Sequence, residues 1–121
     1  MKSFYFLVAA MFVFSGVGAQ IINFPDANFK AALLLASPTT NYCQNIAGAN
    51  IAIDTNLDSE IQVSEVIAVD RLNLNSLGIA DLSGLEHFQN LTKLFCVNNN
   101  LTSLDVSLLS QLTYLACTNN Q

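Results

Sequence analysis

The chain has 121 residues, with nine acidic side chains against four basic ones, a single histidine and a net charge of −5. That length fits one domain, and the acidic balance leaves no basic patch to follow a phosphate backbone, which excludes nucleic acid as a partner. The hydrophobic fraction of 52% is inflated by the first twenty residues, MKSFYFLVAAMFVFSGVGAQ.

That segment carries Lys2, an apolar run from Phe4 to Phe14 and a small-residue site at Val17-Gly18-Ala19. It reads as a secretory signal peptide over 1–19, cleaved after Ala19; a membrane anchor is the alternative, for which the run is short. No later segment is apolar enough to span a bilayer. Cleavage leaves Lys30, Arg71 and Lys93 against nine acids, a net charge of −6. The expected location is secreted or at the outer cell surface.

Asp26, following Pro25, is a good helix starter, and the helix formers Ala27 to Ala36 lie behind it. Phe29, Ala32, Leu33 and Ala36 share one face at helical spacing. Ser37-Pro38-Thr39-Thr40-Asn41 ends the helix. Residues Tyr42 to Ile53 read as an irregular loop, with Cys43 in it lacking an evident partner.

The next stretch, DTNLDSEIQVSE over 54–65, carries metal chemistry. Calcium is a hard cation that takes six to eight oxygens, and the twelve-residue EF-hand loop supplies them at fixed spacing. On that map Asp54, Asn56, Asp58 and Glu65 are direct ligands. Glu60 offers its backbone carbonyl, and Gln62 acts directly or through water. Three carboxylates held together without a cation would repel one another, which favours calcium. Two positions depart from the pattern: Ser59 stands where glycine makes the sharp turn, and Leu57 is a bulky apolar residue in a polar stretch. The alternative is an acidic, solvated loop without metal. A short helix is expected from Val63 to Val69.

From Arg71 onward the chain repeats itself. Leu91, Leu94, Cys96 and Asn99 recur as Leu112, Leu115, Cys117 and Asn120, each shifted by 21 residues. Leu72-Asn73-Leu74 aligns with Leu94-Phe95-Cys96, and Ile79 and Leu82 align with Leu101 and Leu104, at a shift of 22. A period of this length with the pattern L-x-x-L-x-C-x-x-N-x-L is that of a leucine-rich repeat. The predicted fold is therefore an α/β solenoid of leucine-rich repeats with short parallel strands, fronted by a helical, EF-hand-like cap. Its parts are the signal peptide (1–19), the cap (20–70) and about two and a half repeats (71–121). Because the pattern stops mid-repeat at Gln121 without a capping element, a longer protein is expected.

Within each repeat the L-x-C or L-x-L triplet is a short strand, and the Asn that follows can hydrogen-bond the backbone of its own and the neighbouring turn. Leu77 occupies that place in the first repeat. Cys96 and Cys117 fall at equivalent inward positions on adjacent strands. A disulfide is within reach by distance, but the favoured reading is a pair of free thiols acting as small buried hydrophobes.

The run Phe24-Pro25-Asp26-Ala27-Asn28-Phe29-Lys30-Ala31, the 54–65 loop, the Asp81-Leu82-Ser83-Gly84-Leu85-Glu86 arm and the LTSLDVS-type repeat occur in one order. Together they resemble the N-terminal region of the secreted leucine-rich-repeat proteins of Bacteroidetes-type bacteria. The resemblance implies an N-terminal helix and EF-hand-like loop before an array of repeats, often with a sorting domain for export. It implies protein or ligand binding at the cell surface. Members usually carry N-G-D at loop positions 3 to 5, whereas Leu57 replaces that glycine here.

The functional expectation is a non-enzymatic extracellular binding module with calcium as cofactor. Outward strand residues would form a concave recognition face, with Arg71, Asn73, Lys93, Phe95 and Tyr114 as candidate contacts for a protein or glycan. The alternative is a purely structural solenoid cap of a larger surface protein, whose binding or catalytic part lies beyond Gln121. Catalysis is not expected, because His87 stands beside Glu86 with no nucleophile near it and the cysteines occupy structural columns.

Overall fold

Asp26 anchors the chain at two points in the computed structural model, which describes residues 20–121. Its Oδ1 accepts hydrogen bonds from the N–H groups of Asn28 (2.9 Å) and Phe29 (3.0 Å), capping helix α1, Ala27–Leu35. The expected helix face is the buried one: Phe29, Ala32, Leu33 and Ala36 all lie in the core. Residues 1–19, which read as a signal peptide in the sequence, lie outside the described residues.

A four-stranded sheet follows, in the order β1 (Cys43–Gln44), β2 (Arg71–Asn73), β3 (Lys93–Phe95), β4 (Tyr114–Ala116). Strands β2, β3 and β4 are parallel, with Leu72, Leu94 and Leu115 in one register row. The repeat alignment is thus realised as spatial register, although the strands begin one residue earlier than the triplets suggest. Backbone bonds carry the ladder past the strand ends, from Leu74 N–H to Phe95 (2.7 Å) and from Cys96 N–H to Ala116 (2.8 Å).

Strand β1 corrects the expectation of an irregular loop over 42–53. It pairs antiparallel with β2, with Cys43 opposite Leu72, and Cys43 is buried. Two residues are too few to show alternation, so only the edge that β2 offers makes them a strand. Helix α2 is also shorter than expected, covering Val63–Val66. The Glu65 side chain accepts from the Gln62 N–H at 3.0 Å and so fixes where α2 begins.

Each of β2, β3 and β4 leaves the sheet through one residue with positive φ: Ser76 (60°), Asn98 (60°) and Asn119 (57°). Asparagine tolerates this region better than most residues, which suits two of the three turns. Behind the sheet, one contiguous core runs from Ile22 to Leu109 and joins α1 to the repeats. Phe29 links the two halves: its ring lies 5.0 Å from Phe24, edge to face, and 6.5 Å from Phe88. Phe88 follows a single 3-10 turn at Leu85–His87, in the long crossover that parallel strands require.

Candidate functional site

The in-out alternation of β2, β3 and β4 sends Leu72 and Leu94 into the core and leaves their neighbours outside. Register then builds two outward rows. One is Arg71, Lys93, Tyr114 and the other is Asn73, Phe95, Ala116. The five residues expected to form a binding face are therefore brought onto one side of the sheet.

Three of their side chains stack along it, those of Arg71, Phe95 and Tyr114. The Arg71 guanidinium lies 4.4 Å from the centre of the Phe95 ring, and the Phe95 and Tyr114 rings are 5.0 Å apart at 35°. Phe95 thus has a neighbour on either side along the sheet, and Tyr114 keeps half of its surface exposed. Lys93 is exposed, and among the described residues neither Arg71 nor Lys93 makes an ion pair; Lys30 does, with Glu60 at 2.9 Å.

The asparagines expected at the turns do what the pattern requires. Asn99, buried, accepts from the N–H groups of Leu77 and Ile79 (3.0 Å each) and donates to the Leu74 carbonyl (2.8 Å). Asn120 repeats the arrangement, donating to the carbonyls of Cys96 and Cys117 (2.9 Å each) and accepting from Leu101 N–H. These bonds hold successive turns in line and so keep the outward rows straight.

The 54–65 loop folds around its own carboxylates. Asp54 accepts from the N–H groups of Asp58 (3.2 Å) and Ser59 (3.0 Å). Asp58 accepts from Glu60 N–H (2.9 Å) and from the side-chain amide of Gln62 (2.7 Å). The Glu60 hydrogen bond, foremost, and those from the side-chain amides of Gln62 and Asn56 hold the Asp58 carboxyl below the usual range against a smaller opposing effect of burial. Asn56 donates weakly to Asp58 and to Gln62 (3.3 and 3.4 Å). Glu65 accepts from Thr55 N–H at 2.9 Å. Leu57 and Ser59, the two departures from the loop pattern, both adopt the left-handed conformation, with φ of 59° and 64°. Among the described residues no three His, Cys, Asp or Glu side chains are gathered as a metal-binding group.

The thiols Cys43, Cys96 and Cys117 are free. Burial pushes the Cys43 thiol up to about 12, and burial together with the neighbouring Cys117 pushes Cys96 up to about 11. Cys117 is exposed, because among the described residues β4 has a strand partner on one side only, and Leu115 in the same edge is 40% exposed where Leu94 is 0%. The return arms enclose a groove of about 370 Å³ flanked by Asp81, Glu86, Asp105 and Leu108. Each of those carboxylates already accepts from an N–H group of its own turn. His87 sits in the 3-10 turn. No helix among the described residues is long and apolar enough to cross a membrane.

Register-matched short parallel strands, asparagine-tied turns and a leucine core define a leucine-rich-repeat fold, and comparison with known proteins supports it. The chain is 39% identical over 70 residues to Internalin J of Listeria monocytogenes, a match covering 58% of this chain and 7% of that protein. The solved functional domain of InlJ from the same organism, described as including a cysteine ladder, superposes with a TM-score of 0.60 at 31% identity. That match covers 84% of this chain and 20% of the domain. The internalin InlF of L. monocytogenes shares the fold at a TM-score of 0.57 and 24% identity, over 81% of this chain and 25% of that one. No protein-family model matches the chain. The chain spans a small part of the relatives it matches.

Proposed function

We propose that this chain is a non-enzymatic protein-interaction module and that the outward sheet face receives the partner. The observation that carries this reading is the continuous stack of Arg71, Phe95 and Tyr114 across three strands. Aromatic and arginine side chains supply most hot-spot energy, and a stack already formed in the free protein loses little freedom on binding. The likeness to internalins supports the same reading, and with the apolar N-terminal segment it supports a secreted or outer-surface location. The helix and loop would cover one end of the repeats as a cap, and Cys96 and Cys117 would be successive members of a cysteine column.

The test is a partner search with the chain as bait, followed by Tyr114→Ser and Phe95→Ser. Loss of the recovered complex by at least about tenfold is expected for both variants, which corresponds to roughly 1.4 kcal/mol. A partner that binds both variants as tightly as the parent removes the sheet face from consideration.

A second reading concerns the 54–65 loop as a calcium site. Asp54, Asn56, Asp58 and Glu65 would hold the ion with the Glu60 carbonyl and Gln62, and the cation would neutralise carboxylates that now accept from the loop's own N–H groups. The support is local: Ser59 reaches the turn conformation normally made by glycine, so its side chain is no bar. Calcium should raise the melting temperature relative to chelator, and Glu65→Gln should abolish the rise while leaving a cooperative melt. A melt indifferent to calcium leaves the loop as a self-satisfied acidic turn.

A further inference from the structure

The strongest unexplained feature is where the cations lie. The described chain has nine acidic residues and three basic ones. Lys30 is paired with Glu60. The other two, Arg71 and Lys93, are register partners on adjacent strands and point to the same side. Strand neighbours are about 4.8 Å apart, and like charges so placed repel, so this arrangement works against folding. The nearest acid in sequence, Asp70, forms no ion pair with either: its carboxylate accepts the Thr92 hydroxyl at 2.8 Å.

We propose that the segment received by this face is an extended, carboxylate-bearing peptide, with its acidic side chains held by Arg71 and Lys93 and its apolar or aromatic side chains set against Tyr114. The inference rests on the sheet face being the binding surface, as proposed above. Charge complementarity supplies the sign of the partner. The Arg71 guanidinium carbon lies 4.4 Å from the centre of the Phe95 ring, and a guanidinium can take a carboxylate in two parallel bonds. Lys93 adds a mobile second charge beside it. Phe95 is flanked by Arg71 and Tyr114, which leaves the half-exposed Tyr114 ring as the contact for an apolar side chain of the peptide.

The test is selection of a random-peptide display library on the immobilised chain, with the recovered peptides synthesised and their affinities measured. Recovered sequences should be richer in Asp and Glu than the starting library. Their binding should weaken with added salt and fall about tenfold or more in Arg71→Gln/Lys93→Gln. Both substitutions are on outward positions, and circular dichroism verifies that the variant is folded. Peptides without acidic enrichment that still lose binding to Tyr114→Ser would overturn the acidic assignment and leave the binding face standing. Peptides insensitive to every one of these substitutions would overturn both. An acidic oligosaccharide such as oligogalacturonate that binds more tightly than any recovered peptide would overturn the peptide assignment.

Discussion

The Asp26 carboxylate accepts a 2.8 Å hydrogen bond from the backbone N–H of Ala80, 54 residues along the chain. The same oxygen accepts from Asp81 N–H, while its twin caps α1. One side chain therefore starts the helix and pins it to the first repeat. Burial alone would raise the Asp26 pKa, but the hydrogen bonds from Ala80, Phe29, Asp81 and Asn28 outweigh it and hold the carboxyl below its usual range. A carboxylate whose pKa falls on folding stabilises the protein above its unfolded value of about 3.9, and that contribution is lost as pH drops through the folded value. Asp26→Ala should cost about 1–2 kcal/mol at neutral pH, the usual range for a lost cap. Urea titrations of parent and variant should show the gap closing below about pH 4; a gap independent of pH would contradict the charged role.

Three consecutive asparagines, Asn98, Asn99 and Asn100, look alike in the sequence and should behave differently. Asn99 is buried and satisfies the N–H of Ile79, which is itself buried. Asn99→Ala should cost about 3 kcal/mol, since buried groups left unpaired cost about 1–3 kcal/mol each. Asn100 is exposed, and Asn100→Ala should change stability by less than about 0.5 kcal/mol. Chemical denaturation of the two variants checks the contrast.

Cysteine labelling should separate the three thiols. The thiolate is the reactive form, and a pKa of about 12 leaves Cys43 with very little of it near pH 8. Cys96 is nearly as protected. One equivalent of a thiol reagent should react in the native chain, at Cys117, and three after denaturation. Peptide mapping that finds native label at Cys43 would contradict its place in the core.

Gly84 has a φ of 106°, and a β-carbon there would lie 2.5 Å from Cδ1 of Phe24 and 3.1 Å from the Asn23 carbonyl oxygen. Gly84→Ala meets strain and overlap together, so a loss of about 2–4 kcal/mol is expected from the two effects. Calorimetry would register it as a lower melting temperature. A variant as stable as the parent would mean that Phe24 can move without cost.

The legible parts of the structure are those written in local patterns. The 21–22-residue shift carried the register of Leu72, Leu94 and Leu115, and Asp26 with the Phe29–Leu33 face carried α1. Strand β1 was missed because Cys43 and Gln44 have no periodicity of their own and are strand only against β2. The outward residues were placed correctly by alternation. Alternation gives a side, however, and not the stacking of Arg71 on Phe95 or of Phe95 on Tyr114.

The repeat, its register, the buried leucines and the asparagine turns are all legible from residue spacing, because short-range geometry enforces each of them. Asp26 reaching Ala80, and Arg71 and Lys93 sharing one face beside the aromatic stack, come from tertiary packing alone. Those relationships join residues with no common local pattern. They arise when strands 4.8 Å apart and a helix packed behind them bring distant positions into contact.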